Sequence, residues 1–333
     1  MTVDPGTGKG DIPPPVEVRG LVKRYGDLTA VAGVDLTVNV GDVYGYLGPN
    51  GAGKTTSLRM MLGLIRPTAG SARLFGRDPM QSVHALDGVA GFVEAPTFYP
   101  YLSGRRNLEL LAAFDGHGAA RRIDQALDTV ELSDRARDRV GGYSHGMRQR
   151  LGIAAALVRD PKLMLLDEPG TGLDPAGMRD MRQLVRRLAD QGITVMLSSH
   201  LLAEVEELCN RVAIIQAGKI VYEGEIAALK RSAGATYRLS TTDNERALAV
   251  CRAQPGIADV GVEHGRIRFA AGEAVVAELS QALVEAGALI KALTPQTATL
   301  EDLFFSLTEG GEGADGHHPG VVPESAAPMG PAR

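Results

Sequence analysis

The sequence predicts an α/β fold, on three short apolar runs and the helical patterns between them. The runs are "DVYGYL" at 42–47, "KLMLLDE" at 162–168 and "GITVMLSS" at 192–199. Each is too short for a helix and rich in β-branched or large apolar residues, as strands buried on both faces are. Between them, "KTTSLRMMLGLI" (54–65) and "GMRDMRQLVRRLADQG" (177–192) carry apolar residues at helical spacing. Strands alternating with helices imply a parallel sheet with helices packed on its faces.

The chain of 333 residues, 44% of them hydrophobic, is long enough for one large domain and a smaller one. A formal charge of −5 argues against a broad grip on DNA or RNA, which depends on neutralising phosphates with Lys and Arg. No nucleic-acid partner is expected. The two cysteines, Cys209 and Cys251, have neither metal-site nor redox-motif spacing and read as reduced thiols. No signal peptide is read at the N-terminus, and no apolar run approaches the ~20 residues that cross a bilayer. A role at a membrane would therefore run through a partner.

In chain order, residues 1–15 read as a flexible arm, whose "GTGKG" lacks the four-residue gap of a phosphate loop. "VEVRGLVKRY" and "AVAGVDLTV" partly alternate, which suits a half-exposed antiparallel layer. Charge-rich helical segments such as "ARRIDQALDTVEL" suggest a helical lobe over about 96–160, inside a main domain of 16–232. From 236 to 308, strand patterns ("TYRLST", "ADVGVEH", "RIRFA", "ALIKAL") interleave with helices at "NERALAVCRA" and "EAVVAELSQALVEAG", predicting a small α+β appendage. Val276, Leu279 and Leu283 share one face of the second helix, and Gly287 can cap its end. In "TLEDLFFSL", Thr299 can cap a last helix whose stripe of Leu300, Leu303, Phe304 and Leu307 reads as core packing. Residues 309–333 read as a disordered tail, with His317 and His318 solvated.

Gly48, Gly53, Lys54 and Thr55 satisfy GxxxxGK[ST] directly after a predicted strand and at the head of a predicted helix. In that context backbone N–H groups wrap phosphates, Lys54 reaches the β and γ groups, and the Thr55 hydroxyl binds Mg²⁺. Asp167 and Glu168 end another buried strand, where two carboxylates need a cation or a task. Asp167 suits holding Mg²⁺ through water, and Glu168 suits orienting or deprotonating the water that attacks a γ-phosphate.

Five stretches in order, "GPNGAGKTT", "YSHGMRQRLG", "LMLLDEP", "GLDP" and "SSH", resemble the nucleotide-binding subunit of an ATP-binding cassette (ABC) transporter over about residues 16–230. The resemblance implies a P-loop NTPase fold with an antiparallel β layer and a helical lobe, and an ATPase that uses ATP and Mg²⁺. It implies that Tyr25 stacks on adenine and that Asn50, Gly51 and Thr56 join Gly48, Gly53, Lys54 and Thr55 around the phosphates. Glu168, His200 and Lys54 would be catalytic, with His200 as the switch histidine. Asp174 of "GLDP" would contact nucleotide. Ser144 and the N–H of Gly146 would touch the γ-phosphate held by a second copy of the chain, so that two copies close around shared ATP.

This sequence departs from the family pattern in two places. Tyr143, His145 and Met147 replace Leu, Gly and Gln of the usual signature, and Glu94 stands at the Q-loop glutamine. Glu94 can ligate Mg²⁺. His145 reads either as a pH-sensitive charge near phosphate or as a surface histidine. The segments around Glu94 and Ser144 look most like the bacitracin- and lantibiotic-resistance branch and related anthracycline exporters. That likeness implies a peripheral ATPase on the cytoplasmic face of the membrane, bound to multi-span permease subunits through residues near 94–111, and driving export of a drug, antibiotic peptide or lipid-like compound. The alternative is a soluble cassette ATPase for translation or DNA maintenance. A second cassette, or a long coiled coil between the glycine loop and "LMLLDEP", would mark that class, and neither is present.

Overall fold

The computed structural model describes residues 13–309 except 95, 116–117, 233–235 and 297–298. Most of the expected arm, with "GTGKG", and the tail beyond 309, with its two histidines, lie outside the described residues.

Strands β1 (Val16–Tyr25) and β2 (Leu28–Val38) form the antiparallel hairpin expected from their alternation. Next come β3 (Val43–Leu47), helix α1 (Lys54–Met61), β4 (Ala69–Leu74) and β5 (Val89–Phe92). The lobe follows, with α2 (Gly104–Ala112), α3 (Ile123–Thr129) and α4 (His145–Leu157). The chain then returns through β6 (Leu163–Asp167), α5 (Pro175–Asp190), β7 (Thr194–Ser199), α6 (Leu202–Leu208), β8 (Arg211–Gln216), β9 (Lys219–Glu225) and α7 (Ile226–Ser232). A three-stranded sheet has the order β2-β1-β4, and a six-stranded sheet the order β5-β6-β7-β3-β8-β9. Its strands are parallel from β5 to β8, and β9 closes the edge antiparallel. The parallel strands β3, β6 and β7 are the three apolar runs.

Two cores sandwich this sheet. On one face Val16, Val18 and Leu36 of the antiparallel layer meet Tyr44, Tyr46 and Leu58. The Tyr46 hydroxyl donates to Ser57 Oγ at 3.1 Å, which pins α1 onto β3. Burial pushes the Tyr44 and Tyr46 hydroxyls far up, so both stay neutral donors. On the other face Leu108, Leu127 and Leu151 of the lobe join Leu166, Leu184 and Leu197 in one core. Arg187 of α5 ties the lobe down by donating to Thr129 O (2.9 Å) and Glu131 Oε1 (2.7 Å).

The appendage consists of β10 (Thr236–Thr241), α8 (Asn244–Ala253), β11 (Ile257–Glu263), β12 (Arg266–Ala271), α9 (Glu273–Glu285) and β13 (Ile290–Gln296). Its antiparallel sheet has the order β11-β12-β10-β13 and shares a core with both helices through Leu239, Cys251, Ile267, Phe269, Leu279 and Leu283. Helix α10 (Leu300–Glu309) follows in sequence but packs on the main domain, against α6, α7 and β9. Its buried Leu300 and Leu303 belong to the lobe-side core, and Leu300 N–H donates to Glu206 of α6 at 2.9 Å. The last helix therefore anchors the appendage back onto the main domain.

Candidate active site

Strand β3 ends in the middle of the large sheet, between β7 and β8, so its following loop opens at the carboxyl edge where α/β sheets bind ligands. The loop must lie close against neighbouring backbone. A Cβ on Gly48 would stand 2.3 Å from Ile215 O, and Gly53 takes φ +107°, a conformation that side chains disfavour. Gly53 also supplies no side-chain cap to α1. The first-turn N–H groups of α1 are thus left for another acceptor, with the positive end of the helix dipole behind them.

Lys54 is 5% exposed, and its ammonium donates to Gly48 O (2.8 Å) and Pro49 O (3.2 Å) and lies 3.3 Å from Glu168 Oε1. Thr55 Oγ1 donates to Asp167 Oδ2 at 2.8 Å, and the Ser198 hydroxyl donates to the other oxygen of Asp167. A hydroxyl and a carboxylate in contact form the hard oxygen pair with which Mg²⁺ is held beside substrate phosphates, so these residues fit that ion.

Glu168 has φ +48°, a left-handed conformation that costs a non-glycine residue about 1 kcal/mol or more. Its N–H offsets the strain by donating to Ser198 O (3.2 Å) and Ser198 Oγ (3.0 Å). Its Oε2 accepts from Thr171 Oγ1 at 2.9 Å and lies 3.0 Å from His200 Nδ1, a contact that requires the hydrogen on Nδ1. Partial burial pushes the Glu168 carboxyl up, but the Thr171 hydrogen bond, Lys54 and His200 together outweigh it and hold the group below its ordinary value. At neutral pH this carboxylate is charged, and it can accept a proton from a water lying beside it.

Tyr25, at the tip of the β1–β2 hairpin, borders the same depression as Asn50, Gly51, Gly53, Lys54, Thr55, Thr56 and Glu168. Its ring is half exposed, with the Lys23 ammonium 5.0 Å from its centre. Ser144, Gly146 and Asp174 line a different depression, beside Arg150 and Asp180. Ser144 Oγ caps α4 by accepting from Met147 N (3.2 Å), and Asp174 caps α5 by accepting from Gly177 N (2.7 Å). Glu94 takes φ +80°, is exposed and is ion-paired with Arg59. Its carboxylate is thus engaged by a cation of the chain itself. His145 Nε2 lies 3.0 Å from Thr171 O.

One chain therefore gathers Tyr25, the glycine loop, Asp167, Glu168 and His200, and holds Ser144, Gly146 and Asp174 apart from them. The sequence reading did not single out Ser198 or Thr171. Ser198 pairs in register with Asp167 across β6 and β7. The first serine of "SSH" was the available signal, but its partner depends on sheet register, which the local pattern does not carry.

A sequence model described as "ABC transporter" matches residues 31–171. The chain is 36% identical over 298 residues to the bacitracin transport ATP-binding protein BcrA of Enterococcus faecalis, covering 89% of this chain and 97% of that protein. It is 37% identical over 310 residues to the daunorubicin/doxorubicin resistance ATP-binding protein DrrA of Streptomyces peucetius, covering 88% and 92%. A solved structure of an ATP-binding subunit of an ABC transporter superposes with a TM-score of 0.59 at 27% identity, covering 66% of this chain and 92% of that one.

Proposed function

The chain belongs to the ABC transporter family as an ATP-hydrolysing subunit, and from that premise we propose that two copies close around two Mg²⁺–ATP and drive a separate multi-span permease that exports a drug, antibiotic peptide or lipid-like compound. The observation that carries this reading is the convergence at the head of α1 of three paired contacts, Lys54 with Glu168, Thr55 with Asp167, and Glu168 with His200. The likeness to BcrA and DrrA along nearly their whole length, appendage included, supports the choice of cargo class. Neither relative is a translation or DNA-maintenance ATPase, so the soluble alternative gains no support.

In this reading Gly48, Asn50, Gly51, Gly53 and Thr56 present backbone and polar groups to the phosphates, and Lys54 turns from the two carbonyls to the β and γ groups. Tyr25 stacks on the adenine. Thr55, and Asp167 through water, would hold Mg²⁺, which neutralises charge on the phosphates. Glu94 would join them only by releasing Arg59. Glu168 orients the attacking water and takes its proton, and His200 steadies Glu168 and the γ-phosphate. Ser144 and Gly146 at the N-terminus of α4, with Asp174 beside them, meet the γ-phosphate on the partner copy. Since ATP phosphates are satisfied from both sides only in the closed pair, hydrolysis removes the bridge and the pair opens.

No helix among the described residues is long and apolar enough to cross a membrane. The proposed place of work is the cytoplasmic membrane face, reached through the permease. Purification of the tagged chain from gently solubilised membranes is expected to bring down a multi-span protein that raises its ATPase rate. Recovery with ribosomes or DNA, and with no membrane protein, would contradict the transport role.

A further inference from the structure

His145 begins α4, directly after the capping Ser144, and its Nε2 lies 3.0 Å from Thr171 O. A carbonyl oxygen only accepts, so Nε2 carries the hydrogen. Thr171 is then held at three points. Its N–H donates to Glu168 O at 3.1 Å, its hydroxyl donates to Glu168 Oε2 at 2.9 Å, and its carbonyl accepts from His145. The ring also crowds the next residue, where a Cβ on Gly172 would stand 3.3 Å from Nε2. The first turn of α4 is thereby tied to the carboxylate in the active site of the same chain.

This link matters once nucleotide binds. Of the three groups holding the Glu168 side chain, Lys54 and His200 are drawn to the phosphates in the reading above. Thr171 is the holder that has no role at the phosphates.

We propose that His145 is a positioning residue for hydrolysis: through the Thr171 carbonyl it keeps the Thr171 hydroxyl on Glu168, and so couples docking of this chain's Ser144 turn on the partner's ATP to the aim of its own catalytic carboxylate. Each protomer then feels, at its own site, whether it is capping the other site. The inference rests on the shared-nucleotide reading and adds to it a route between the two sites.

The test uses the full chain and ATP. His145→Ala is expected to lower kcat roughly tenfold, as a misaimed water does, with ATP affinity unchanged and a reduced Hill coefficient for ATP. His145→Gln carries an amide N–H of similar reach and is expected to restore most of the rate. Thr171→Val keeps the carbonyl but loses the hydroxyl, and is expected to match His145→Ala. The double variant is expected to be no slower than either single one, because both cut the same link. A kcat within twofold of the parent in His145→Ala, losses that multiply in the double variant, or a folded His145→Gln as slow as His145→Ala would each overturn the proposal. If His145→Ala does not fold, Thr171→Val and His145→Gln decide alone. ATP-driven pairing, measured with His145 intact in a Glu168→Gln background, separates the levels. If no pair forms, the shared-site reading falls, whereas a pair together with multiplying losses removes only this link.

Discussion

Glu168→Gln is expected to bind ATP, accumulate as a closed pair and hydrolyse ATP roughly 10²- to 10⁴-fold more slowly than the parent. The amide is nearly isosteric and can still accept from the Thr171 hydroxyl, so the turn from Glu168 to Thr171 keeps its shape. It cannot take a proton from water. The wild-type carboxyl is held below its ordinary value, so it is charged throughout the neutral range. That position makes it a modest base by driving force and an effective one by placement, because every Glu168 in the population is ready to receive the proton. Single-turnover rates, with size-exclusion chromatography in ATP, measure both halves of the expectation. Hydrolysis at the parental rate would remove Glu168 from the mechanism.

Lys54→Ala is the second large effect, and it strikes binding before chemistry. The buried ammonium satisfies two carbonyls of the loop and faces Glu168 at 3.3 Å. Without it Gly48 O loses the ammonium, Pro49 O keeps only the Ala52 N–H at 3.2 Å, and the anionic phosphates lose the one lysine that the loop brings to them. Loss of a preorganised cation of this kind is expected to lower turnover roughly 10²- to 10³-fold, with a clear rise in the Kd for ATP. Fluorescent-nucleotide titration beside the rate measurement checks this. Where Glu168→Gln traps the pair, Lys54→Ala is expected to leave separate subunits, since the nucleotide that bridges them is no longer held. Equal behaviour of the two variants in ATP would contradict the assignment of binding to one residue and hydrolysis to the other.

The contrast between these residues shows what was legible in the sequence. The glycine loop, the "LMLLDEP" strand and the capped turn at Ser144 are contiguous, and each acts through backbone geometry that a local pattern specifies, so they could be read directly. Contacts made across the fold could not. The Ser198–Asp167 pair depends on the register of β6 against β7, and the Arg59–Glu94 pair joins residues on separate elements. The α10 stripe announced a buried face but not its partner, which is the cassette rather than the appendage. "ARRIDQALDTVEL" divided into a 3₁₀ turn at Ala119–Arg122 and the short α3, which ends before Glu131 takes φ +58° and reaches Arg187 of α5. Tertiary ties overrode a helical pattern there. His145 was visible only as a departure from glycine. Its bond to Thr171 required both turns to be in place.

In the proposed working unit a nucleotide is gripped by one subunit and capped by another, because Ser144 and Lys54 occupy different depressions of the same chain. ATP turnover per subunit, followed across a dilution series with sedimentation reporting the fraction of pairs, tests this most directly. Turnover per subunit is predicted to fall in step with the paired fraction and to vanish for separated subunits. A constant rate per subunit down to fully separated chains would contradict it.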